Sequence, residues 1–327
     1  MSQPIHSTRV TRRAILWTVS FAASGIAASK GFAFQQEEPE PFRIVSDTEL
    51  VVVDVGVLER GGYVRGLAKE NFTIEENGQR RPVTSFSSGD QPITIGLVID
   101  RSGSMEDKWQ EVLAAAGKLV RASHPQDEFF LVTFSDRAFL NIEPGTDTLR
   151  DTAKIYQSLE ALRLGGRTAL YDGVSIALEN LRHGRNERKA LVVISDGGDN
   201  ASSSTRAAVM QLAERSLATV YAVGIFDTSD QDANPKFLSH IAHLTGGEAF
   251  FPKELSELNA IAARISTDMR ARYTIGFSPA DTRLDNSVRQ FKVLVHGSPS
   301  HRKWKIRARN HYVASSSVLA GAGDTTQ

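Results

Sequence analysis

The sequence predicts an α/β protein: a doubly wound, mostly parallel sheet flanked by a small β-sandwich module built from the amino- and carboxy-terminal segments. Three observations predict it. Four nearly continuous apolar runs, at 93–100, 129–134, 190–194 and 218–225, suit strands covered on both faces, as in a parallel sheet. Between them lie stretches with helical apolar spacing, and strands alternating with helices imply an open sheet with right-handed crossovers. On either side of this region, short segments rich in β-branched residues and bounded by turn signals read as isolated strands.

The 327 residues suit one large domain and a smaller one. Lys+Arg and Asp+Glu balance at 38 each, which argues against a protein that holds nucleic acid mainly through its phosphates. There is no cysteine, so disulfides, thiolate catalysis and cysteine-based zinc sites are excluded.

Residues 1–34 read as an export signal: Arg12 and Arg13 precede a short apolar, small-residue run to Ala28, with small residues near Ala33. The paired arginines resemble the twin-arginine variety. The run is too short and too rich in Ser, Ala and Gly for a stable membrane span. A solvated linker, Gln-Gln-Glu-Glu-Pro-Glu-Pro, falls within 35–42. Residues 43–90 are β-rich: 49–57 is dense in valine, a turn is marked at Gly61-Gly62, and 72–75 alternates before a second turn at Asn77-Gly78. Three or four strands fit there, too few to bury both faces of a sheet.

In the central region, 92–272, the first helix is placed at 109–121, where Val112, Leu113, Ala116, Leu119 and Val120 share a face. Further helices are expected at 149–163, 171–183, 203–216, 235–244 and 254–271, and an antiparallel edge strand at 139–142. Strands are expected again at 273–277, 291–295 and 304–308, within a segment (273–313) that pairs with 43–90. Residues 314–327 read as a disordered tail. On the last strand, Trp304 stands among Arg302, Lys303, Lys305, Arg307 and Arg309, an alternation that reads as a solvated basic sheet face.

The first buried strand ends in Asp100-Arg101-Ser102-Gly103-Ser104, and the run 192–196 ends in Asp196. In an open α/β sheet, ligands bind beyond the carboxyl ends of the strands near a topological switch point. The loop Gly165-Gly166-Arg167-Thr168 reaches the same crevice, so two carboxylates and three hydroxyls are positioned to converge. Such hard oxygen donors suit Mg²⁺, Mn²⁺ or Ca²⁺. Neutral hydroxyls leave the cation's charge poorly compensated, with room for one more anionic oxygen.

The Asp-x-Ser-x-Ser run at Asp100, Ser102 and Ser104 resembles the first motif of von Willebrand factor type A domains. Thr168 in Gly-Gly-Arg-Thr is similar to their second motif, and Asp196 in Ser-Asp-Gly-Gly-Asp to their third. The resemblance covers about residues 92–272, and the flanking β segments resemble those of bacterial secreted relatives. It implies a Rossmann-like domain with a metal-ion-dependent adhesion site. Ser102, Ser104 and Thr168 would ligate the ion directly and Asp100 and Asp196 mostly through water. The sixth position would take an Asp or Glu of a protein partner, outside the cell or in its envelope. Neither a nucleic-acid partner nor catalysis is implied.

Other readings stand beside this one. Asp100 and Asp196 also fit helix N-caps, which would leave a scaffold without metal. A Mg²⁺-dependent phosphohydrolase with Asp100 as nucleophile would need a second Asp two residues on, where Ser102 stands. Asp172 is expected to stabilise the first turn of its own helix, Asp199 to serve a turn, and Arg101 to face solvent. Glu106 and Asp107 suit the start of the next helix. His240 and His243, three apart with no third ligand nearby, read as structural. Neither a Gly-x-Ser-x-Gly elbow nor a phosphate-binding glycine loop follows any expected strand.

Overall fold

The computed structural model describes residues 50–60, 62–145, 152–226, 234–297 and 304–315. The expected export segment and linker lie outside the described residues. Among the described residues no helix is long and apolar enough to cross a membrane.

The chain opens with β1 (Val51–Glu59), β2 (Gly62–Tyr63), β3 (Phe72–Glu76), β4 (Gln79–Arg81) and β5 (Ser85–Ser87). Asn77 and Gly78 both take positive φ, 51° and 76°, the backbone that a two-residue hairpin needs, and β3 and β4 pair across them. The α/β region then runs through β6 (Ile93–Asp100), α1 (Trp109–Arg121), β7 (Glu128–Phe134), β8 (Ala138–Ile142), α2 (Thr152–Glu160) and α3 (Leu170–Asn180). It continues through β9 (Arg188–Ser195), α4 (Arg206–Arg215), β10 (Thr219–Gly224), α5 (Pro235–Leu244), β11 (Ala249–Phe250) and α6 (Leu258–Arg270). The chain returns to strands with β12 (Tyr273–Phe277), β13 (Val288–Val295), β14 (Lys305–Arg307) and β15 (His311–Val313).

The central sheet has the order β11-β10-β9-β6-β7-β8, parallel except for the antiparallel edge strand β8. Every residue of β6, β7 and β10 is buried, as continuous apolar runs demand. One face packs on α1, α2 and α6 through residues such as Val112, Ile155 and Ile265. The other packs on α3, α4 and α5 through Val174, Val209 and Phe237. The chain winds outward from β6 to β7 and β8, then resumes on the other side of β6 with β9, β10 and β11. The switch point therefore falls between the carboxyl ends of β6 and β9.

The flanking strands form the small sandwich. One sheet has the order β14-β1-β12-β5, with β2 on β1, and the other β15-β13-β3-β4. β1 pairs with β12 from Val51↔Phe277 to Val55↔Tyr273, and β3 with β13. Val53, Val55, Ile74, Ile275, Phe277 and Phe291 fill the space between the sheets. Neither terminal segment closes this core alone. The α/β region is inserted between its halves.

Several elements differ from the expectation. The helix placed at 203–216 starts only at Arg206, because Thr205 caps it by accepting from Ala208 N at 3.2 Å. The stretch 255–257 is a 3₁₀ turn before α6, and Glu257 holds the amides of Lys253 and Glu254. The basic alternation around Trp304 is solvated only in part: Lys305 is exposed, and Arg302 and Lys303 lie outside the described residues. Arg307 and Arg309 are buried, Arg307 against Asp268 and Glu248 and Arg309 on the Ser216 carbonyl, while Trp304 and Ile306 pack on the sandwich core. Ala314 and Ser315, at the head of the expected tail, are buried, and the Ala314 amide donates to the Ser287 carbonyl. Residues 316–327 lie outside the described residues.

Candidate metal centre

Asp100 is the last residue of β6 and Asp196 follows β9 directly, so neighbouring parallel strands deliver both carboxylates to the switch point. Both are buried. The Asp100 carboxylate accepts from Ser102 N at 2.9 Å and from the Ser195 hydroxyl at 2.7 Å. The Ser102 and Ser104 hydroxyls lie 3.1 Å apart, and Ser104 Oγ donates to Asp196 in a short hydrogen bond. Asp100, Ser102, Ser104 and Asp196 are thus joined residue to residue by hydrogen bonds, the first through the Ser102 amide and the others through the hydroxyls. Ser102 is buried and Ser104 is exposed, so this chain of bonds meets solvent at Ser104, between the two buried carboxylates.

The loop carrying Thr168 is held on both sides. Gly165 N donates to the Arg101 carbonyl and Gly103 N to the Gly166 carbonyl, which fastens the loop to the first motif. On the other side Thr168 N donates to Asn200 Oδ1 at 2.9 Å, and the Asn200 and Ala201 amides donate back to the Thr168 carbonyl. Gly166 has φ +88°, a left-handed backbone that favours glycine, where the loop passes the Asp136 side chain.

Two negative groups buried side by side need compensation. Burial, and after it the charge of Asp196, pushes the Asp100 carboxyl up to about 6, against the pull of the bonds from Ser102 and Ser195. Neither carboxylate has an ion-pair partner among the described residues, whereas other buried acids, such as Asp268, meet arginines. No group of three or more His, Cys, Asp or Glu side chains gathers among the described residues, so an ion here would rely on hydroxyl oxygens as well. A hard divalent cation fits this donor set and this charge deficit.

Sequence reasoning missed two contributors. Ser195 holds Asp100 and accepts from Gly197 N at 2.9 Å, and Asn200 fixes the backbone at Thr168. Three assignments change. Asp172 holds the segment before α4 rather than its own helix, accepting from the amides of Ser203 and Ser204 at 2.8 Å each. Burial opposes it, yet the Ser204 hydroxyl, followed by the Ser203 and Ser204 amides, holds its carboxyl below the usual range. Asp199 accepts from Tyr171 N at 3.1 Å and so caps α3 across the chain, beyond its place in a turn. Arg101 is half-buried: it donates to the Arg163 carbonyl at 2.9 Å and stacks 5.5 Å from the Phe139 ring. Glu106 and Asp107 lie in a 3₁₀ turn, 103–108, that precedes α1. His240 and His243 are exposed on α5.

The family model for the von Willebrand factor type A domain matches residues 94–264. An uncharacterized protein of Borreliella burgdorferi is 22% identical over 236 residues, 70% of this chain and 68% of that protein. An uncharacterized protein of Synechocystis is 28% identical over 144 residues, 43% of this chain and 34% of its own length. Among solved structures, a von Willebrand factor type A protein from Catenulispora acidiphila superposes with a TM-score of 0.49 at 14% identity, covering 73% of this chain and 72% of that one. Domains of this type bind a divalent metal at a metal-ion-dependent adhesion site and act as protein-interaction modules. With more than half its length inside the matching family model, this chain belongs to the von Willebrand factor type A domain family.

Proposed function

We propose that this chain is an exported, cation-dependent binding module. Asp100, Ser102, Ser104, Thr168 and Asp196 hold one divalent cation, Mg²⁺ with Mn²⁺ or Ca²⁺ as substitutes. The partner is a protein that presents an Asp or Glu side chain. The observation that carries this reading is the bonded chain from Asp100 through Ser102 and Ser104 to Asp196, with a buried carboxylate at each end and the Ser104 hydroxyl between them open to solvent. When bound, the cation supplies an under-neutralised positive charge that attracts one more carboxylate.

The chain's own residues prepare that position. Ser195 and the Ser102 amide fix both oxygens of Asp100, Asp196 orients the Ser104 hydroxyl, and Asn200 sets the backbone at Thr168. Export is supported by the amino-terminal arginine pair and the apolar run after it. The role is one of binding rather than turnover, since the place where a phosphohydrolase would carry its second carboxylate is Ser102.

Calorimetry tests the cation. Mg²⁺ binding is expected with the whole chain and lost in Asp100→Ala, with the fold retained. Capture of a partner from the source organism's envelope fraction is expected in Mg²⁺ and lost in EDTA. Capture that neither EDTA nor Asp100→Ala diminishes would overturn the reading.

A further inference from the structure

The rim of the candidate metal centre differs in charge between its two sides. On the Ser104 side stand the exposed acids Glu106, Asp107 and Glu254, with Lys253 among them. On the Thr168 side stand two arginines, each beside a candidate ligand in sequence: Arg101 between Asp100 and Ser102, and Arg167 before Thr168. They share one acid, Asp136, just beyond β7. A single Asp136 oxygen accepts from Arg167 N at 3.1 Å and from Arg167 Nε at 3.2 Å. The Arg167 amide, followed by its side chain, holds the Asp136 carboxyl below the usual range, and the charge of Arg101 adds to that pull. Two positive groups against one negative leave this side of the rim with surplus positive charge.

Arg167 is fixed and still open. Its side chain is 67% exposed although its amide and its Nε are both tied to Asp136. Among the described residues no hydrogen bond reaches its Nη1 or Nη2. A guanidinium anchored at one edge keeps the paired Nη donors that match a carboxylate, and it loses little further freedom on binding one. Between this arginine and the two serines the surface is bare backbone. Gly103 N donates to the Gly166 carbonyl, and a Cβ at Gly165 would meet nothing within 4 Å. A partner segment can therefore run from the cation position to Arg167 close against the loop.

We propose that Arg167, supported by the charge of Arg101, is a second acid-reading position, so that the partner segment presents two acids: one for the cation and, at a fixed separation, an Asp or Glu for the Arg167 guanidinium. The proposal rests on the cation-dependent reading above. It adds a paired-acid motif and a direction. The second acid lies over the Thr168 side, since Glu106, Asp107 and Glu254 repel it from the Ser104 side.

The test selects a phage-displayed library of random dodecapeptides on the whole chain in Mg²⁺ at low ionic strength and elutes with EDTA. Peptides from wild type are expected to share two acids at constant separation. Peptides selected on Arg167→Gln, or on Arg167→Ala as a second variant, are expected to share one, with Mg²⁺ binding unchanged by calorimetry. A wild-type peptide is then made with either acid replaced by its amide. Loss of the cation-binding acid should abolish Mg²⁺-dependent binding. Loss of the other should weaken binding to wild type about three-fold, the size of an exposed charge pair, and leave binding to Arg167→Gln as it was. The three-fold difference should close as salt is raised to about 1 M. A preference for two acids that survives both variants, or EDTA-eluted wild-type peptides that share one acid alone, would overturn the subsite and leave the cation reading standing. If no peptide elutes with EDTA, both fall together.

Discussion

Asp100 is fully buried with its carboxyl pushed up to about 6, so the folded chain holds a proton between pH 4 and 6 that the unfolded chain has released. The folded value lies above the ordinary 3.8, so this stabilisation is complete below that value and is lost as pH rises through 6. The loss is about 3 kcal/mol at most, at 1.36 kcal/mol per pH unit. In EDTA, wild type should therefore lose stability relative to Asp100→Asn between pH 4.5 and pH 7.5, because the amide removes the buried charge. Mg²⁺ at pH 7.5 should restore the wild type and leave the variant unmoved, since only a chain that binds the ion gains from it. Denaturant midpoints of both proteins at the two pH values check this; parallel curves would mean the carboxylate is not strained. The motif residues were legible because their spacing lies within single short runs. Ser195 and Asn200 were not, because the side chain of each reaches the site through a partner 95 or 32 positions away and otherwise reads as an ordinary strand end or turn.

Among the elements, the loop between β9 and α4 does two separable jobs. Asn200 ties it to Thr168, and Asp172 and Thr205 define where α4 begins. Asn200→Ala should weaken Mg²⁺ binding by about ten-fold with little change in melting, as expected when a group that positions a ligand is removed. Thr205→Ala should do the opposite. It costs about 1 kcal/mol of stability through the lost cap and leaves Mg²⁺ affinity as it was. Calorimetric titration and thermal melting of the two variants distinguish the roles, and equal effects on both readouts would show that the loop is one unit. The long helices were readable because apolar spacing carries over ten or more residues, and the buried strands because their apolar runs are nearly unbroken. β11, with two residues, and β15, with three, carry no period to read and exist only because β10 and β13 offer edges.

At the scale of the whole molecule, the inserted α/β region is joined to the sandwich through buried charge. Asp268 near the end of α6 meets Arg272 at 2.7 Å and Arg307 of β14 at 3.2 Å, and accepts from Tyr221 of β10. Burial works against its ionisation, yet Arg272 holds its carboxyl below the usual range. Arg188, opening β9, reaches Asp54 of β1 at 3.4 Å and the Met269 carbonyl at 2.8 Å. This junction explains why the last strand misleads when read alone. Arg307 and Arg309 look like a wet basic face until Asp268 and Glu248, 39 or more residues away, are brought against Arg307. Removing one member of such a set leaves its partners charged and uncompensated, a cost of about 3–5 kcal/mol. Asp268 belongs to the α/β region and Arg307 to the sandwich, so Asp268→Ala should lower the melting of both together. Scanning calorimetry of the whole chain should show one transition in wild type and one, shifted down, in the variant. Two transitions, with only one displaced, would mean that the halves unfold independently and that the arginines at their junction serve a single side.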